Sequence, residues 1–111
     1  MAEELAPALA YYLESSGQGT KLMVTHGELY PKCVRVFEGE ARLEQARTMA
    51  TMRAAAFAEG IRQATPGAQA EVRVGLLPAR WRQRMGGFQV GKAWVVYAEQ
   101  RKAAGQNAKE I

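Results

Sequence analysis

The chemically most distinctive part of this chain is a basic, aromatic segment at residues 80–84. Its members are Arg80, Trp81, Arg82, Gln83 and Arg84. Guanidinium groups bind phosphate or carboxylate oxygens through paired hydrogen bonds, and an exposed indole offers a face on which an unpaired base can stack. The segment therefore predicts contact with nucleic acid or with an acidic protein surface. An alternative stays open, in which the indole packs into the core and the arginines form a solvated rim.

Charge is distributed unevenly along the sequence. Residues 1–71 contain 7 Lys/Arg and 9 Glu, whereas residues 72–111 contain 8 Lys/Arg and 2 Glu, so the formal net charge of +4 comes from the C-terminal part. Arg73 and Lys92 lie on predicted strands that flank the basic segment and extend it. We expect these positions to bind an acidic partner, either nucleic acid, a nucleoprotein complex or an acidic protein surface. A compact fold that mixes the two halves would cancel this asymmetry.

Residue types that commonly carry catalysis are scarce. His26 and Cys33 are the only His and Cys, and the chain has no Asp. A Cys–His pair can act as nucleophile and base, but here no aspartate is present to orient the imidazole. In its Val-rich strand, Cys33 is most simply a small buried apolar residue. We therefore expect no enzymatic activity and no metal site.

Cofactor and small-molecule sites are not indicated either. The run of residues 86–92 is rich in glycine, but it lacks the spacing of a phosphate-binding loop, and a strand pattern rather than a helix pattern follows it. A single cysteine, an acidic N-terminus and the absence of a long apolar stretch favour a cytoplasmic protein without a membrane segment. No cofactor and no small-molecule substrate are expected.

Length and composition predict one small globular domain. The chain has 111 residues, 48% of them hydrophobic and 23% charged, which is enough for one core. We expect residues 1–111 to form a single domain whose polar tail, residues 99–111, is frayed.

Hydrophobic periodicity predicts an α+β fold with the order α-β-β-α-β-β. Helices are expected at residues 7–15 and 40–63, and strands at residues 20–26, 33–37, 71–76 and 88–97. Residues 79–85 suit a short helix or an ordered loop. The simplest assembly is a mainly antiparallel four-stranded sheet with the long helix packed on one face.

The long helix has a well-defined apolar stripe. Its predicted members are Leu43, Ala46, Ala50, Ala54, Phe57 and Ile61. They recur at intervals of three or four residues, as expected for one face of a helix. Alanines permit a close approach to a sheet, and Met49 and Met52 can widen the buried face.

Two classes of function fit these patterns. The first is a small accessory protein that binds nucleic acid, or a complex that carries it, through the surface around residues 80–84. The second is an interaction or structural protein, such as a phage- or plasmid-encoded inhibitor or a virion component, which docks through a sheet edge or the long helix.

Overall fold

The computed structural model describes residues 7–26, 31–77 and 92–100. They form five strands and one helix, in agreement with the predicted α+β class. The elements are β1 (Pro7–Ser16), β2 (Gly19–His26), β3 (Lys32–Phe37), α1 (Arg42–Ala64), β4 (Ala68–Gly75) and β5 (Ala93–Gln100).

The five strands form one antiparallel sheet in the order β3-β2-β1-β5-β4. Strand β1 lies in the centre, where Tyr11 pairs with Val24 of β2 on one side and with Trp94 of β5 on the other. Strands β3 and β4 occupy the two ends of this order. The sheet therefore has two edges, one formed by β3 and the other by β4.

The prediction of a helix at residues 7–15 is wrong, because this stretch is the central strand. Leu9 and Tyr11 are buried on the face that packs against α1, whereas Ala10 and Tyr12 are buried on the opposite face. A strand that is covered on both faces has an almost continuous apolar sequence, and such a run does not show the alternation of a half-exposed strand. The sheet accordingly has five strands instead of the predicted four.

A tight hairpin joins β1 to β2. Ser16 pairs with Gly19, so only two residues form the turn. Gly19 has a φ of 146°, and a Cβ at this position would lie 2.7 Å from the carbonyl oxygen of Phe37. Both the backbone conformation and the close approach of β3 therefore require glycine here.

Helix α1 packs across one face of the sheet through small residues. The buried positions on α1 are Ala46, Ala50, Ala54 and Ala58. This result confirms most of the predicted stripe, with Phe57 and Ile61 partly buried beside the core. Leu43 was expected in the stripe but is 43% exposed, since it lies in the first turn, before the buried positions begin. No helix in the described part of the chain has the length and apolar character needed to cross a membrane.

The centre of the sheet face opposite α1 is also buried. Its cluster includes Ala10, Tyr12, Leu77 and Val95. Burial raises the pKa of Tyr12 to about 12, and the nearby charge of Glu14 adds to the increase. The neutral phenol is therefore favoured in this environment, as expected for a tyrosine of the core.

Candidate functional site

An open groove lies between α1 and the edge strand β3, and we refer to it as the α1–β3 groove. Its volume is about 720 Å³, within the range typical of ligand-binding clefts. Among the residues that line it are Arg35 and Phe37 from β3 and Glu44, Met49, Met52 and Arg53 from α1. The groove thus combines an apolar floor with charged groups.

A β-bulge determines which side chains of β3 face the groove. Leu22 pairs with Arg35 and Val24 pairs with Lys32, and the register shifts between these pairs. Since Leu22 and Val24 both face α1, Arg35 and Lys32 must do so as well, although they are three positions apart in the sequence. The regular alternation would have placed them on opposite faces.

The groove exposes apolar surface beside the guanidinium of Arg35. Met52 is 64% exposed, whereas Phe37 is only 6% exposed and forms part of the core. The guanidinium of Arg35 lies 5.1 Å from the centre of the Phe37 ring, a distance typical of a cation–π contact. This contact holds Arg35 beside the groove with its hydrogen-bond donors available.

Neither arginine of the groove is neutralised within the described part of the chain. The two salt bridges among those residues join Arg62 to Glu59 and Arg73 to Glu71. No described carboxylate lies within salt-bridge distance of Arg35 or Arg53. Of the described residues that line the groove, two are arginines and Glu44 alone is acidic, so this part of the lining has a net positive charge.

The opposite edge of the sheet has a smaller cavity, of about 430 Å³, beside β4. Here the arginines are held by their neighbours. Arg62 donates to the backbone oxygen of Ala70 at 2.6 Å, and Arg73 donates to Glu71 at 2.6 Å and lies 4.9 Å from the centre of the Tyr97 ring. The donors on this edge are therefore partly used within the molecule.

The predicted binding residues are placed only in part. Residues 80–84, and with them Arg80, Trp81, Arg82 and Arg84, lie outside the described residues, as do residues 79, 85–91 and 101–111. Arg73 is exposed on β4, where Glu71 balances its charge, and Lys92 is exposed just before β5. Sequence reasoning missed Arg35 as a groove residue, because the sequence does not show that β3 is the edge strand beside α1.

His26 and Cys33, which the sequence analysis considered as a possible catalytic pair and set aside, lie on opposite faces of the sheet. His26 pairs with Leu9 and therefore faces α1, where its ring lies 5.9 Å from that of Phe57. Cys33 pairs with Met23 and therefore faces the other side of the sheet. Cys33 is also exposed and not buried as predicted, since β3 is an edge strand. The described residues contain no group of three or more His, Cys, Asp or Glu side chains suited to hold a metal ion.

Comparison with known protein families, with curated proteins and with solved structures finds no match to this chain.

Proposed function

We propose that this chain is a small non-enzymatic interaction protein that binds a segment of another protein in the α1–β3 groove. The observation that supports this function is the combination, at one edge of the sheet, of exposed apolar surface and two arginines that form no salt bridge with a described residue. Met52 supplies the apolar surface, and Arg35 and Arg53 supply the positive charge.

Physical properties of the groove suit a protein ligand. A largely exposed methionine offers apolar area that gains free energy when a partner covers it, and its flexible side chain adapts to different shapes. Arginine is enriched in protein interfaces because its fork of donors matches carboxylates and backbone oxygens. The open shape of the groove admits a chain segment that passes along it.

A lysate experiment with matched variants tests this function. Met52→Glu places a charge on the apolar floor of the groove, whereas Leu76→Glu makes the same change at a residue that is 70% exposed next to β4. After nuclease treatment, proteins retained by the wild type and by Leu76→Glu should be lost with Met52→Glu. Identical protein sets for all three forms would reject the groove as the binding site.

Nucleic-acid binding is a second candidate, favoured by the sequence of residues 80–84. The three arginines around Trp81, together with the exposed Lys92, suit contact with phosphates and with an unpaired base. The variant with Arg80, Arg82 and Arg84 all replaced by Gln tests this candidate. Its affinity for duplex DNA should fall, and the slope of log affinity against log salt should flatten by up to about three. Unchanged affinity and slope would reject nucleic-acid contact at this segment.

A further inference from the structure

We infer that the partner segment in the α1–β3 groove is an extended acidic stretch of protein, which adds to β3 as a further strand and directs carboxylates toward Arg35 and Arg53. This inference rests on the proposed function, since it specifies the chemistry of the partner at the same site. Three features of the groove support it: the open strand edge, the arrangement of its cations and the unsuitability of a second copy.

The first feature is the open backbone edge of β3. Strand β3 is the terminal strand of the sheet, and among the described residues no strand pairs with its outer side. Part of its backbone N–H and C=O groups therefore point outward, as at any sheet edge. A segment in extended conformation satisfies these groups by strand addition, and its side chains on one face then reach the groove.

The second feature is the arrangement of cations along the groove. The bulge brings Lys32 and Arg35 to the face of β3 that looks toward α1, and Arg53 lines the groove from the helix. Glu44 offsets one of these charges. An incoming strand thus meets positive charge on its groove-facing side, where carboxylates are the complementary groups.

Arg35 is already held in position for this contact. Its guanidinium lies over the Phe37 ring, and Phe37 is fixed in the core. A side chain that is ordered before binding loses less conformational freedom when the partner arrives. No described carboxylate lies within salt-bridge distance of this guanidinium, and its planar fork of donors can bind both oxygens of one carboxylate.

The third feature is that a second copy of this chain suits the edge poorly. Antiparallel pairing of two β3 strands would bring Lys32 and Arg35 of both copies onto the same face of the joined sheet. Like charges on neighbouring strands destabilise pairing, and basic side chains and bulges are common means of preventing edge-to-edge association. The same charges favour an acidic strand.

Peptide binding to the full chain tests the inference. The probes are capped peptides of alternating Glu and Val, about eight residues long, with matched peptides that carry Gln or Lys in place of Glu. The Glu peptide should bind most tightly and the Lys peptide least. Methylation of the peptide backbone nitrogens along one edge should abolish binding, because it removes the donors that pair with β3. Amide hydrogen exchange at residues 32–37 should slow when the Glu peptide is bound.

Variants of the chain identify the charges involved. The double variant Arg35→Gln/Arg53→Gln should bind the Glu peptide about tenfold more weakly, as expected when two partly exposed ion pairs are lost. Arg47→Gln provides the control, because Arg47 is exposed on α1 and does not line the groove. Its affinity should equal that of the wild type. Thermal unfolding checks that all variants remain folded.

Each alternative result has a defined meaning. If the Gln peptide binds as tightly as the Glu peptide and Met52→Glu blocks both, the groove binds protein but the acidic partner is rejected. If no peptide binds, and Met52→Glu retains the same lysate proteins as the wild type, both the inference and the proposed function are rejected. If no peptide binds the wild type, and the double variant binds duplex DNA more weakly than the wild type does, the cations of the groove bind nucleic acid. A dimer that breaks on substitution in β3 would instead assign this edge to self-association.

Discussion

The two edges of the sheet contain the same kinds of residue but differ in what those residues can still bind. At the β4 edge, Arg73 is paired with Glu71, and Arg62 is bonded to Glu59 and to the backbone of Ala70. At the β3 edge, Arg35 stacks on an aromatic ring and has no carboxylate partner among the described residues. Positive charge is therefore available for a partner at one edge and largely used at the other.

Local sequence spacing explains this difference. Glu71 and Arg73 are two residues apart in a strand, so their side chains share a face, while Glu59 and Arg62 are three apart in a helix and lie on neighbouring turns. Strand β3 contains Lys32 and Arg35 but no acidic residue. Strand β4, in contrast, contains one anion and one cation at a spacing that lets them pair, so both the number of charges and their spacing distinguish the two edges.

The largest expected difference between the edges is in how much their packed side chains contribute to the free energy of unfolding. Phe37 at the β3 edge is 6% exposed, whereas Val74 at the β4 edge is 51% exposed. Phe37→Ala should lower the free energy of unfolding by about 3–5 kcal/mol, and Val74→Ala should change it by no more than about 0.5 kcal/mol. Chemical denaturation monitored by circular dichroism measures both. Equal losses in the two variants would contradict the assignment of Phe37 to the core and of Val74 to the surface.

A second packing test concerns the part of α1 near the end of β2. Phe57 is partly buried beside the core and contacts His26 at 5.9 Å between ring centres. Its truncation should therefore cost less than that of Phe37, about 1–3 kcal/mol. The same denaturation experiment on Phe57→Ala checks this order. A cost above that of Phe37→Ala would mean that the helix depends more on this contact than on the groove.

Local patterns in the sequence predicted much of the fold. Alternation in residues 20–26 and the stripe of alanines in residues 46–54 correspond to β2 and to the buried side of α1. Each of these elements has one exposed and one buried face, so its period appears in the sequence. β1 was missed because both of its faces are buried, and only the tertiary structure distinguishes such a strand from a buried helix.

The candidate groove could be predicted only in part. The sequence analysis considered the long helix and a sheet edge as docking surfaces, but it could not identify which edge lies beside Met52 and Arg53. Which edge lies beside α1 depends on the strand order, and which β3 side chains face α1 depends on the bulge. The sequence of the bulge has no distinctive residue, such as glycine, that would identify it. Edge strands and bulges arise from long-range pairing, and a single sequence gives little information about such pairing.

A weaker effect is expected from the ion pair at the β4 edge. Arg73 and Glu71 are joined at 2.6 Å, but their side chains are 66% and 54% exposed. Solvent screens an exposed pair, so a double-mutant cycle with Arg73→Gln and Glu71→Gln should give a coupling of no more than about 1 kcal/mol. Because salt screens such a pair, the coupling should fall as the ionic strength rises. A large, salt-independent coupling would show that the pair is held in a less solvated setting than its exposure indicates.

The smallest expected effect is the titration of Glu59, which tests whether the arginines near β4 are already engaged. Hydrogen bonds from Arg62, and then from Gln63, lower the pKa of this carboxyl below its usual value of 4.5, and the positive charge of Arg62 acts in the same direction. The folded state therefore favours the ionised carboxylate. Its contribution to stability is present above pH 4.5 and is lost as the pH falls through the lowered pKa. A carboxyl-carbon NMR titration should give a midpoint below 4.5 for Glu59 in the wild type, and Arg62→Gln should move it upward. Gln63→Ala should produce a smaller shift in the same direction, since its amide is the secondary donor. If Arg62→Gln leaves the midpoint unchanged, Arg62 is not committed to Glu59 in solution, and the β4 edge would offer a cation to partners as readily as the β3 edge does.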